Sequence, residues 1–307
     1  MGNQIKNIPH QHRSIDLCCG GGGASLGIAQ AGFKGILGID CYKAAALCHK
    51  ANFPDQPVIL KRMEDVSASE ILKLTGLKIG DLEHLHCSWP CNEYSSANTK
   101  LAKNPPTDIN RNFFHFLDKI VALQPMTFTG ENVDGVLLGA KKKYFNEVIN
   151  ALKKLENYEF QYKVMNAIYY GVPQNRTRLL VIGKRRDVAQ GIPIEFPKPN
   201  YAGADKLRLK NVMPHITLYK PGQFGKKAIH NSHFMCTITA SNNILLYDGE
   251  WRRMTISEAK FFMGFPQNFK LVSKAFTTNM RLLGNAVPPP MMAAVMNNIK
   301  ETILKNR

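Results

Sequence analysis

A short apolar strand followed at once by four glycines and a helix leaves few folds open to this chain. Ser14-Ile-Asp-Leu-Cys18 reads as a buried strand, Gly20 to Gly23 as a loop, and Ala24 to Ala31 as a helix stopped at Gly32. Ile36 to Ile39 reads as a second strand ending in Asp40. Strand, glycine loop, helix and acidic strand end form the arrangement that binds a nucleoside cofactor in α/β proteins. The glycines let main chain approach a ligand, and Asp40 can accept hydrogen bonds from ribose hydroxyls. A dinucleotide fingerprint needs Gly at its third spacing, where this chain has Ser25. The pattern therefore favours a nucleoside without a pyrophosphate, with a plain structural turn as the other reading.

The rest of the chain continues the alternation. A helix over Ala44 to Ala51 precedes a third strand, Val58 to Leu60, with Asp65 beyond it. The strand beginning at His84 breaks at Trp89-Pro90 and delivers Cys91 into the polar run Asn92-Glu-Tyr-Ser-Ser96. A thiol just past a strand end lies on the edge where such sheets place their chemistry, and a reactive thiolate needs polar surroundings. A buried structural cysteine is the bland alternative. Phe113, Phe116, Leu117, Ile120 and Val121 recur at helical spacing and read as core. Met126 to Thr129 is a strand leading into Gly130-Glu131-Asn132-Val133, and Phe145 to Leu155 marks an amphipathic helix. Val164 to Tyr169 and Leu179 to Ile182 read as strands, with Arg176 and Arg178 alternating so that both can face one side. Thr255 to Glu258 is a capping box opening a helix that ends at Gly264, and a last helix runs from Met291 to about Leu304.

Charge indicates the partner. Forty Lys and Arg against twenty-three Asp and Glu leave +17 over 307 residues, which fits a polyanion. Between residues 184 and 227 there are ten basic and three acidic residues with little periodicity, so the composition shifts near residue 185. Seven cysteines at irregular spacing show neither a disulfide framework nor paired metal ligands, and no signal peptide is expected. An intracellular, reducing setting and a cytoplasmic location follow as expectations. No apolar run reaches the length of a membrane span.

Six blocks in order resemble the cytosine-5 DNA methyltransferase family. Asp16-Leu-Cys-Cys-Gly-Gly-Gly-Gly-Ala-Ser-Leu-Gly27 is similar to its cofactor loop, and Pro90-Cys-Asn-Glu-Tyr-Ser95 to its nucleophile motif. Glu131-Asn-Val133 resembles the acid motif and Gln174-Asn-Arg-Thr-Arg178 the arginine motif. Arg253 to Glu258 with Gly264-Phe-Pro266, and Gly284-Asn-Ala-Val-Pro288, resemble the last two. Three positions depart from the pattern: Cys18 where Phe is usual, Asn92 for Gln, and Met280 near a common Tyr.

The resemblance implies a doubly wound, Rossmann-like α/β methyltransferase sheet carrying a small target-recognition domain. The expected division is a catalytic and cofactor-binding domain over 1–185, a recognition domain over 186–250, and a return to the catalytic domain over 251–307. It implies S-adenosyl-L-methionine as cofactor, no metal, and double-stranded DNA as partner. The expected enzyme is a monomer, with a restriction endonuclease as a further partner. Cys91 would attack carbon 6 of a flipped-out cytosine, Glu131 would neutralise the ring at nitrogen 3, and Arg178 with Arg176 would hold its carbonyl oxygen. Asp40 would take the ribose, Asp65 the adenine amino group, and Gly20, Gly22 and Gly23 the methionine portion. Asp16, Cys18, Pro90 and Asn285 complete the expected cofactor site. An RNA cytosine methyltransferase and an inactive DNA-binding regulator are the rival readings. Arg208, Lys210, Gln223, Lys226, Asn231 and His233 are the candidate base readers, for a site of about two to four base pairs.

Overall fold

β1 (His12–Leu17), α1 (Gly23–Gln30) and β2 (Phe33–Ile39) open the chain, followed by α2 (Lys43–Asn52), β3 (Val58–Ile59) and α3 (Ala68–Thr75). β4 (His84–Ser88), α4 (Asn112–Leu123), β5 (Thr127–Val133), α5 (Lys141–Lys153), β6 (Tyr158–Asn166) and β7 (Thr177–Arg185) complete the first part. The computed structural model describes residues 12–89, 112–139, 141–221, 227–240 and 244–305. Seven strands form one sheet in the order β3-β2-β1-β4-β5-β7-β6. Neighbours from β3 to β5 are parallel, whereas β7 lies antiparallel between β5 and β6. Strand order reverses between β1 and β4, so the carboxyl ends of β1, β2, β4 and β5 open on one crevice, the usual ligand position in such sheets.

Both faces of the sheet are covered, and β7 shows how. Leu179 and Val181 pack into the core under α3, α4 and α5, while Leu180 and Ile182 pack against α1 and the last helix. Residues two apart share a face, so a continuous apolar run buries both sides. The sheet is thus the doubly wound α/β sheet the sequence led to expect. β6 begins six residues before the expected Val164; its middle, Gln161 to Lys163, is exposed on an edge strand and shows no apolar period.

Short helices α6 (Tyr201–Ala204) and α7 (Leu209–Val212) precede a second sheet of β8 (Leu218–Lys220), β9 (Ile229–His230), β10 (Leu245–Tyr247) and β11 (Trp251–Arg253), ordered β11-β10-β8-β9. Val188, Ile194 and Phe196 pack against the core of the large sheet instead. α8 (Ile256–Phe262) starts at the Thr255–Glu258 capping box, with both reciprocal hydrogen bonds formed. α9 (Phe276–Asn285), not foreseen from the sequence, and α10 (Pro289–Thr302) follow. α10 begins two residues before Met291 because Pro289 fits the first helical turn, where no amide donor is needed. Tyr219, Leu246, Phe262, Met280 and Leu283 share one cluster, joining the small sheet to α8 and α9. No helix of the described residues is long and apolar enough to cross a membrane.

Candidate active site

The crevice holds a cavity of about 310 Å³. One wall is the β1 loop, with Cys18, Cys19, Gly20, Gly21 and Gly23; another is Asp40, Cys41 and Tyr42 after β2. Ser88 at the end of β4 and Trp89 after it, Glu131 of β5, and Arg281, Asn285 and Ala286 of the α9 end close it.

Asp40 shapes the loop directly. Its carboxylate accepts the Gly20 amide at 2.8 Å and the Tyr42 amide at 2.7 Å. Burial pushes its pKa up, against those two amides. Each carboxylate oxygen retains acceptor capacity toward the cavity. Gly22 has φ of 98°, in the left-handed region, and a Cβ there would lie 2.6 Å from the Phe53 ring; only glycine serves in both respects. Cys18 also takes a left-handed φ, 58°, and faces the cavity.

Asp16 lies beneath the loop. Its Oδ2 accepts the Ser25 hydroxyl at 2.5 Å, and Ser25 meets His49 Nε2 at 3.0 Å. Burial pushes the Asp16 carboxyl up to about 7, opposed by the Ser25 hydrogen bond. Burial pushes His49 down to about 4. Asp16 therefore supports the loop from below and is not a wall of the cavity. Asp65 does not reach it either: it is exposed, and Met63 and Glu64 line that side. This corrects the expectation for Asp65. The short helix that carries it, Met63–Asp65, turns its last residue to solvent.

Glu131 is 6% exposed and faces Ser88 directly across β4 and β5. Arg178 Nε lies 3.0 Å from Glu131 Oε1, and the Ser88 hydroxyl is hydrogen-bonded to the same carboxyl. Burial pushes the Glu131 pKa up, against the pull of Arg178, then Arg176, and then the Ser88 hydroxyl, all of which favour the ionised carboxylate. The outcome is a carboxyl readier than usual to hold a proton, beside a fixed cation.

Arg176 does not share that role. Its guanidinium donates to the Ile238 carbonyl at 2.8 Å, to Gly284 at 2.8 Å and to Ala286 at 2.9 Å, and it is fully buried. The expectation that it faces the base with Arg178 is corrected: residues 176 and 178 flank the strand start, and the first is turned to the α9 end. It fastens the segment carrying Asn285 to the sheet. Met280 is buried within α9 and packs in the core.

Pro90, Cys91 and Asn92 lie outside the described residues. The strand end before them is firmly held. Trp89 is buried edge-on to Phe113 at 4.9 Å, and a Cβ on Gly130 would lie 2.6 Å from its ring. The missing side chain at Gly130 is what admits the indole. Among residues the sequence reading passed over, Arg281 stacks on Tyr42 at 4.8 Å, both on the cavity wall. No sequence signal marked Arg281, which sits in the unforeseen α9.

Of the candidate base readers, Arg208 is tied to Asp205 at 2.9 Å and to the Ser232 carbonyl at 2.8 Å. Asn231 is buried, donating to the Ile216 carbonyl at 3.0 Å. Both hold the segment's own fold. Lys210 and His233 remain exposed; Gln223 and Lys226 lie outside the described residues.

The chain as a whole is similar to known proteins. Residues 12–235 and 220–301 match the family model described as C-5 cytosine-specific DNA methylase. The chain is 34% identical over 190 residues to the type II methyltransferase M.XorII of Xanthomonas oryzae pv. oryzae, a match spanning 60% of this chain and 42% of that longer protein. It is 25% identical over 338 residues to the type II methyltransferase M.MthTI of Methanothermobacter thermautotrophicus, over 92% and 96% of the two chains. A DNMT2 variant of Spodoptera frugiperda shares the fold, with a TM-score of 0.67 at 16% identity over 94% of this chain and 99% of that one. The chain belongs to the C-5 cytosine-specific DNA methylase family, the DNA cytosine-5 methyltransferases.

Proposed function

We propose that this enzyme methylates carbon 5 of a flipped-out cytosine in duplex DNA, with S-adenosyl-L-methionine as donor and Cys91 as covalent catalyst. The observation that carries the reading is the buried Glu131–Arg178 pair at one end of a cavity whose other end is the glycine loop and Asp40. An acid paired with a cation suits a base ring, and an acceptor beside open main chain suits a nucleoside. The residues present fit the donor. Asp40 would hold its ribose, the Gly20 to Gly23 main chain and Asn285 its methionine portion, and Cys18 would lie against its adenine. When bound, it supplies an electrophilic methyl group.

The chain's own residues then act on the cytosine. Carbon 5 is a poor nucleophile in the aromatic ring. Addition of the Cys91 thiolate sulfur to carbon 6 moves the ring electrons toward nitrogen 3 and carbon 5, which makes carbon 5 an enamine carbon. Glu131, holding a proton toward nitrogen 3, neutralises the charge that builds there. Arg178 holds Glu131 in place and offers its remaining donors to the carbonyl oxygen. A stacked base cannot reach such a site, so the target leaves the helix. After methyl transfer, loss of the carbon 5 proton expels the sulfur and restores the ring.

We assign the part of residues 186–250 that lies beyond the stretch packed on the large sheet to target recognition, with Lys210 and His233 as its exposed candidate readers. The type II relatives support a place in restriction–modification with an endonuclease of the same site. The deciding experiment is tritiated methyl transfer to duplex DNA and to tRNA by wild type and Cys91→Ala. Transfer to DNA alone, abolished in the variant, is expected. Transfer to tRNA alone, or a variant as active as wild type, contradicts the reading.

A further inference from the structure

Among the described residues, the basic side chains on the cavity wall are Lys61, Arg62 and Arg281. Lys61 Nζ lies 2.9 Å from Glu70 Oε1, and Arg62 Nε lies 3.2 Å from Glu64 Oε1. The carboxylates of the wall are committed as well. Asp40 accepts two main-chain amides, Glu64 faces Arg62, and Glu131 faces Arg178. Arg281 is different. It is exposed, and among the described residues neither a carboxylate nor another hydrogen-bond acceptor meets its guanidinium. What holds it is Tyr42: Arg281 Cζ lies over that ring, 4.8 Å from its centre. A cation over a ring face is held by the ring's electrons and gives up no hydrogen bond to an acceptor. The forked N–H donors that match a carboxylate therefore remain available to a ligand.

The position of this open cation identifies the ligand group. Arg281 lies four residues before Asn285 in α9, so the two share one side of the helix, and both line the cavity. The helix is docked on the glycine loop: a Cβ on Gly21 would lie 3.5 Å from Leu282 Cβ. Just past the helix, the Val287 carbonyl would lie 2.5 Å from a Cβ on Gly23. Tyr42 follows Asp40 by two residues, and its amide donates to the Asp40 carboxylate at 2.7 Å. Ribose acceptor, glycine loop and open cation are thus fastened to one another by short contacts. S-adenosyl-L-methionine carries one anionic group, the carboxylate of its methionine portion.

We propose that Arg281 binds the carboxylate of the donor's methionine portion and that Tyr42 positions it. The inference rests on reading S-adenosyl-L-methionine as the donor. Arg281 then makes the site prefer a nucleoside with its amino acid portion intact over one that lacks the anion. Tyr42 acts through Arg281.

Equilibrium binding to the full-length protein, without DNA, tests this with two probes: S-adenosylhomocysteine and the analogue lacking only its carboxyl group. Wild type is expected to bind the first about tenfold or more tighter than the second. Arg281→Met should weaken S-adenosylhomocysteine by that same factor. It should leave the decarboxylated analogue within about twofold, because the interaction is lost once whichever partner is removed. Arg281→Lys keeps the charge and loses the fork, and should fall between. Tyr42→Leu should weaken only the carboxylated probe, and Tyr42→Phe should restore it. Arg281 is exposed, so its variants should melt as wild type does. Equal losses on both probes, or no loss on either, overturn the assignment and leave the donor reading intact. Unchanged affinity for S-adenosylhomocysteine, with a salt slope of duplex binding lower by about one, overturns it in favour of a phosphate contact. A wild type that binds neither probe removes the donor reading and the assignment together.

Discussion

Replacing Arg176 by Met separates a structural arginine from a catalytic one. The side chain donates three hydrogen bonds to the carbonyls of Ile238, Gly284 and Ala286, all from a fully buried position. Methionine keeps most of the volume and removes every donor. A hydrogen bond involving a charged group contributes about 1.5–3 kcal/mol, and a buried carbonyl left without a partner costs about 1–3 kcal/mol. The desolvation relieved by removing a buried cation offsets part of this. The net loss is on the order of 3–5 kcal/mol, a fall in melting midpoint of roughly 10 °C for a chain this size. Methyl transfer measured well below that midpoint should stay within about tenfold of wild type. Arg178→Met should do the reverse, losing about 10²-fold or more in rate because Glu131 and the base lose their cation. The assays are thermal unfolding and single-turnover transfer on the same preparations. Wild-type melting in Arg176→Met with a rate loss as large as that of Arg178→Met would refute the division of roles.

Two further outcomes are expected. The protein should lose stability in acid. The folded-state pKa of His86 is about 3 against an ordinary 6.5, so stability is full above pH 6.5 and declines as pH falls toward 3, by on the order of 4–5 kcal/mol. His49, held at about 4, adds to the slope, and Asp16, raised to about 7, opposes it because the folded state then binds the extra proton; denaturant midpoints from pH 7 to 4 should therefore fall, and flat midpoints would show the rings are not buried neutral. Gly130→Ala sets a methyl 2.6 Å from the Trp89 ring, which should cost about 1–3 kcal/mol and reduce methyl transfer more than DNA affinity; an unchanged rate would show that the seating of Trp89 does not matter to the chemistry.

The large sheet was legible because its strands are buried on both faces and therefore read as unbroken apolar runs, and Asp40 because it ends such a run before a helix. Arg176 and Arg178 could not be told apart in sequence. They are two residues apart, and only the return of Gly284 and Ala286 from more than a hundred positions away distinguishes them. Asp65 was misplaced for a similar reason: which residue of a short helical turn faces a cavity depends on its last few degrees of winding. The buried partners of His84 and His86 could not be seen in the strand that carries them. Their ring nitrogens meet Thr127 and Thr129, forty-odd residues onward on a neighbouring strand. Helix α9 was missed because its apolar positions serve a cluster shared with the small sheet, and its sequence carries no cap signal at Ala275.

The central claim, a covalent bond between Cys91 and carbon 6 of a target cytosine, is tested most directly by a duplex carrying 5-fluorocytosine at the methylated site. Fluorine cannot leave as the proton does, so the adduct persists after methyl transfer. The expected result is a protein–DNA species stable to denaturation, dependent on S-adenosyl-L-methionine, whose digested peptide carries the nucleotide on Cys91. No adduct on a duplex whose unfluorinated form is methylated, or an adduct mapped to another residue, would contradict the account.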